Sequence, residues 1–149
     1  MKNSAKVDRY KINDEFQRLQ TEVEELGAYL RNNRGEGNCL FHAIADQLRI
    51  QGVNADTIRR EACNYVLQHL QQAQGFFTDG ESPVQYAHQT SNDGVQGDGR
   101  IFWAICAFYH IRIRVRMVGG ITFEEGNQND RVVEIGYLAN IHYVSIRYD

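Results

Sequence analysis

The segment Gly35-Glu36-Gly37-Asn38-Cys39-Leu40-Phe41-His42-Ala43-Ile44 sets a cysteine where a loop of small and polar residues turns into an apolar helix. A helix start leaves backbone N–H groups unpaired and carries partial positive charge. A cysteine there is stabilised as the thiolate, and the same N–H groups can receive a developing oxyanion. A base stands near the far end of the chain. In Asn140-Ile141-His142-Tyr143-Val144-Ser145-Ile146 a histidine occupies an alternating segment about 100 residues beyond Cys39, a separation compatible with Cys–His pairing in a folded thiol hydrolase. The imidazole would take the thiol's proton and return it to a leaving amine. The pair reads as the nucleophile and base of a cysteine protease.

The remaining thiols and imidazoles lack such a setting. Cys63 and Cys106 fall inside apolar helical patterns and read as core. His42 shares the helix of Cys39 and ranks second as base. His69, His88 and His110 lie in a polar helical stretch, a loop and a helix-to-strand junction, where surface or capping roles are the default.

The elements that must position the pair follow from periodicity. Phe16, Leu19, Val23, Leu26 and Leu30 recur at helical spacing over residues 14–31, behind a flexible tail at 1–13. A second helix runs from Cys39 to about Ile50, and a third covers 55–73 with Asp56 as its cap and Gly75 beyond it. The polar stretch Phe76 to Gly99 predicts loops around a short helix at Pro83 to Thr90. Ile101 to Tyr109 is apolar nearly all round and should be central. Ile111–Val118, Val132–Gly136 and His142–Tyr148 alternate as strands. The expected class is α+β, a small mostly antiparallel sheet packed between helices, in a single domain over 1–149.

The chain has 149 residues, 42% of them hydrophobic, enough to build a core without staples. Three widely spaced cysteines without C-x-x-C argue against a disulfide framework and a structural zinc site. No metal and no cofactor is expected. The same cysteine usage points to a reducing, cytoplasmic setting, or a host cytosol for a delivered effector, and the lack of an apolar leader and of any membrane-length apolar run gives the expectation of no membrane partner. A net charge of −3 gives no footprint for nucleic acid. The alternating Arg112, Arg114 and Arg116 read as the wet face of a strand.

These residues resemble the ovarian-tumour (OTU) family of papain-like cysteine proteases, most of which are deubiquitinases. Gly37-Asn38-Cys39-Leu40-Phe41 matches the family's Asp-Gly-x-Cys-Leu-Phe signature from its glycine on, and His142-Tyr143 matches its His-Tyr in the last strand. Gly94-Val95-Gln96-Gly97-Asp98, with the apolar helix and Ile111–Val115 after it, is similar to the family's Gly-x-x-Gly-Asp segment, helix and central strand. The resemblance covers about residues 30–149. It implies the OTU-type papain-like fold and a monomeric ubiquitin thioesterase or isopeptidase. Its partners would be ubiquitin, polyubiquitin chains or a ubiquitin-like modifier. It also implies Cys39 as nucleophile, His142 as base, and an oxyanion loop at Gly37 and Asn38. Glu36 stands where the family usually has aspartate, and Val144 stands where some members orient the histidine with Asp or Asn. The expected third member of the triad is therefore Glu36, with Asn140 as the second choice. The missing aspartate also prompts the alternative of a binding module that holds ubiquitin without cutting it.

Overall fold

A computed structural model describes residues 2–149, with side chains from Asp8 onward. In chain order the elements are α1 (Lys2–Glu24), β1 (Tyr29–Arg31), α2 (Cys39–Leu48), α3 (Ala55–Gln68), α4 (Leu70–Ala73) and α5 (Pro83–Thr90), then α6 (Phe102–Tyr109), β2 (Ile111–Met117), β3 (Ile121–Glu125), β4 (Arg131–Leu138) and β5 (His142–Arg147). Short 3-10 turns cover Gln74–Phe76 and Gly99–Ile101.

The five strands form one mixed sheet in the order β1-β5-β4-β2-β3. Only β2 and β4 run parallel; the other pairings are antiparallel, as the α+β expectation required. Helix α1 covers one face, where Leu19 and Val23 pack with Leu30, Leu138, Val144 and Ile146. The larger core lies on the other face, built from Leu40, Phe41 and Ile44 of α2, Ile58 of α3 and Ile105 of α6 against Ile113, Val133 and Tyr143. Strand β5 is covered on both faces and all six of its residues are buried.

The 14–31 helix needs correction. Of the segment expected to be a tail, Met1 lies outside the described residues, and from Lys2 on the backbone is helical. The helix ends at Glu24, in a Schellman turn. Ala28 N–H donates to Val23 O at 3.0 Å and Gly27 N–H to Glu24 O at 3.0 Å, with Gly27 left-handed at φ 80°. Leu26 is consequently exposed, and Leu30 reaches the core from β1 instead of from a helix. Strand β3 fills what reads as loop between Gly120 and Gly126, and the 55–73 helix breaks at His69.

Helix α2 is riveted to the sheet by Gln47. Its Nε2 donates to Ser145 Oγ and to Ile146 O, both at 3.0 Å, while its Oε1 accepts from Glu134 N–H at 3.1 Å. Cys39 and His142 are thereby held to one framework. Arg112, Arg114 and Arg116 pair with Glu124 and Glu134, but the face is half-buried and Glu134 is buried, so it is drier than the alternation predicts. Among the described residues no helix is long and apolar enough to cross a membrane.

Candidate active site

Cys39 is the first residue of α2, and His142 is the first residue of β5. Both line one cavity of about 370 Å³, together with Asn32, Gly35, Gly37 and Gln96. The thiol is 1% exposed, and its sulfur accepts from Tyr143 N–H and from Gln96 Nε2, each at 3.4 Å. The same Gln96 Nε2 donates to Ile141 O at 2.8 Å, so the carboxamide bridges the sulfur and the turn before His142. His42, the second choice of base, lines a different cavity, with Asp46.

His142 is 8% exposed, and burial lowers its pKa, which favours the neutral imidazole. Its Nε2 lies 2.7 Å from Asn32 Oδ1. Asn33 N–H donates to that same Oδ1 at 2.8 Å, which identifies the atom as the carboxamide oxygen. Nε2 must therefore carry the proton, and Nδ1 is left with a free lone pair. Nδ1 packs against Gly35, where an added Cβ would stand 3.3 Å away.

The register of the sheet explains why Asn32 arrives there. Leu30 pairs with Ile146 and Arg31 with Ser145, so the next residue falls beside Val144 and diagonally from His142. Side chains alternate along a strand, which puts Asn32 and His142 on one face. Asn33 points the other way and ties the site together. Its Nδ2 donates to Tyr143 O at 3.0 Å and to Cys39 O at 3.4 Å.

The two residues expected to orient the histidine are placed otherwise. Glu36 sits on the cavity rim, exposed, at φ 58°, and its carboxylate has no hydrogen bond or ion pair among the described residues. Asn140 is not on the strand. With Ala139 it occupies a turn in which both residues are left-handed, at φ 53° and 56°, and its carbonyl accepts from Tyr137 OH at 2.7 Å. Asn32 was missed because 14–31 reads as helix, and Gln96 because it lies in a polar loop. The sequence signal for Asn32 was the Schellman glycine, Gly27, which frees the next residues to form a strand.

Gly37 and Asn38 form the wall expected to receive an oxyanion. Gly37 has φ 84°, and a Cβ there would stand 1.7 Å from Gly94 O, so no other residue fits. Asn38 N–H is spent on Gly35 O at 3.2 Å, which leaves the helix-start N–H of Cys39 as the backbone donor of this wall. Cys63 and Cys106 are buried, and desolvation pushes their thiols up to about 11 and about 12. Trp103 is core, stacked on Phe76 at 5.0 Å. Among the described residues no three His, Cys, Asp or Glu side chains converge as a metal site.

The profile of the family described as OTU-like cysteine protease matches residues 34–147. "Ubiquitin thioesterase otu2" of Schizosaccharomyces pombe is 32% identical over 93 residues, which are 57% of this chain and 31% of that protein. The chain spans about a quarter to a third of the length of the curated relatives it matches. Among solved structures, the OTU domain of OTUD1 superposes with a TM-score of 0.78 at 14% identity, covering 93% of this chain and 97% of the other. An OTU domain solved in complex with ubiquitin gives 0.62 at 18% identity, covering 80% and 69%.

Proposed function

The chain belongs to the OTU-like cysteine protease family, and on that premise we propose that it is a deubiquitinase, cleaving the bond between the C-terminal glycine of ubiquitin and a lysine side chain. The observation that carries the reading is the shared cavity of Cys39 and His142, with the proton of His142 fixed on Nε2 by Asn32. Relatives support the substrate: one is named a ubiquitin thioesterase and a fold neighbour holds ubiquitin.

In this reading Nδ1 of His142 takes the Cys39 proton and the thiolate attacks the glycine carbonyl. The oxyanion falls to the N–H of Cys39 and to Gln96 Nε2. The imidazolium then protonates the leaving lysine amine, and water attacks the acyl-enzyme with His142 as base. Asn32 orients the imidazole and Glu36 does not. Residues 1–149 act as one catalytic domain and as a monomer. The three unpaired cysteines suit the cytosol.

Cleavage of a diubiquitin panel, run beside Cys39→Ala, tests the proposal. Cleavage that disappears in the variant establishes the thiol enzyme and gives its linkage preference. Cleavage that persists in Cys39→Ala removes the nucleophile assignment. Ubiquitin binding without cleavage supports the binding module, and labelling only by probes of a ubiquitin-like modifier replaces the substrate.

A further inference from the structure

Asn38 stands at the N-cap of α2, yet its side chain makes no cap hydrogen bond. Asparagine at this position ordinarily accepts from the N–H groups two and three residues on. Elsewhere in this chain it does so, since Asn54 caps α3 by accepting from Thr57 N–H at 3.0 Å. The difference lies in what holds the oxygen of Asn38. Its Oδ1 accepts from Arg59 Nη2 and from Gly94 N–H at 3.0 Å, and its Nδ2 donates to Asp93 Oδ1 at 3.1 Å.

Arg59 is 1% exposed and lies over the Phe41 ring at 4.5 Å. Its other acceptors are the carbonyls of Gly37 at 3.2 Å, Thr90 at 2.5 Å and Val95 at 2.8 Å. Burying a cation among carbonyls is costly unless each donor is matched, and these matches lie on the loop before Cys39, on the last residue of α5 and on the loop that follows it.

We propose that Arg59, acting through Asn38, keeps the first turn of α2 uncapped, so that the N–H groups of Leu40 and Phe41 stay unscreened and the positive end of the helix acts at full strength on Cys39. Arg59 and Asn38 are positioning residues. The inference rests on the thiol-protease reading for its purpose, but not on ubiquitin as substrate.

The discriminating experiment compares Asn38→Ser with Asn38→Ala. Serine is a strong N-cap whose short hydroxyl serves the local N–H groups, whereas alanine cannot cap. A cap raises Tm by about 3 °C in a chain of this size, so Asn38→Ser should be the more stable of the two. It should nevertheless have a kcat about threefold below that of Asn38→Ala, the size of a helix-end charge effect, with KM unchanged, on a fluorogenic ubiquitin C-terminal amide. Iodoacetamide alkylation of Cys39 at pH 6, read by mass spectrometry, should slow in the same order, and this readout needs no ubiquitin. Activity and alkylation that rise with Tm across the two variants overturn the proposal, because a merely structural role predicts that order. Arg59→Met should lose activity in the native background and lose much less on top of Asn38→Ser; equal losses in both backgrounds overturn the role of Arg59. Absence of ubiquitin hydrolysis in the unsubstituted protein, with the alkylation order intact, would strike the substrate assignment and leave this inference standing.

Discussion

Asn32 Oδ1 stands 2.7 Å from Nε2 of His142, although 110 residues separate them in the chain. The bond fixes the tautomer whose Nδ1 is basic, and that is the task a third triad member performs. Asn32→Ala should lower kcat roughly 10- to 100-fold with KM nearly unchanged, since orientation acts on the chemical step. Steady-state hydrolysis of a ubiquitin amide checks it, and a kcat within a factor of two of the native enzyme would remove Asn32 from the triad.

Acid should silence the enzyme only below the ordinary histidine range. Burial holds the His142 pKa under its usual 6.5, so the neutral base persists as pH falls past that value. The acid limb of kcat/KM set by His142 therefore lies below pH 6.5, and Asn32→Asp, by placing an anion on Nε2, should move it upward. Stability carries the same sign. Between 6.5 and the lower folded value the unfolded chain binds the proton first, so stability declines as pH falls through that window and levels off beneath it. Tm measured from about pH 5 to 8 should show this slope in the native chain and a shallower one in His142→Gln.

Glu36 offers the opposite expectation. Its side chain is exposed, and exposed charges contribute little to neighbours. Glu36→Gln should change kcat/KM by less than about threefold, and Glu36→Asp should bring no gain. A tenfold loss in the same hydrolysis assay would return the carboxylate to the triad.

What the sequence made legible was the chemistry tied to local context. Cys39 could be recognised because a loop-to-helix boundary shows in ten residues, and His142 because alternation marks a strand. The orienting residue could not, since Asn32 reaches His142 through the β1–β5 register, and β1 is only three residues long. Leu30 shows why that strand was hidden. It falls in phase with Leu19, Val23 and Leu26 as a helical stripe, and the same apolar side chain is buried equally well from a strand. Asn140 illustrates the reverse error, because alternation counted back from His142 overruns the turn where left-handed backbone interrupts it.

The three thiols should separate cleanly by reactivity. All three are buried, but desolvation pushes Cys63 and Cys106 up to about 11 and about 12, whereas Cys39 lines the cavity and its sulfur accepts from Tyr143 N–H and Gln96 Nε2. Brief treatment of the native protein with iodoacetamide at neutral pH should give one adduct, located on Cys39 by peptide mass spectrometry. Equal labelling of Cys106 would show that α6 opens more readily than its burial implies.

Gln96 makes the last prediction, because its Nε2 touches both the sulfur, at 3.4 Å, and Ile141 O, at 2.8 Å. A carboxamide donor beside sulfur favours the thiolate, and the same N–H lies within reach of an oxygen that turns negative on the carbon bonded to that sulfur. Gln96→Ala should therefore lower kcat about 10-fold or more, by analogy with loss of one oxyanion donor. Gln96→Glu should be worse, since it replaces a donor with an anion facing the thiolate. Alkylation of Cys39 separates this role from simple cover. A side chain that only shields the sulfur would, once removed, speed both alkylation and hydrolysis, whereas a donor gives slower hydrolysis even where small reagents enter more freely. Faster hydrolysis in Gln96→Ala would identify the bridge to Ile141 as an obstruction that substrate must displace.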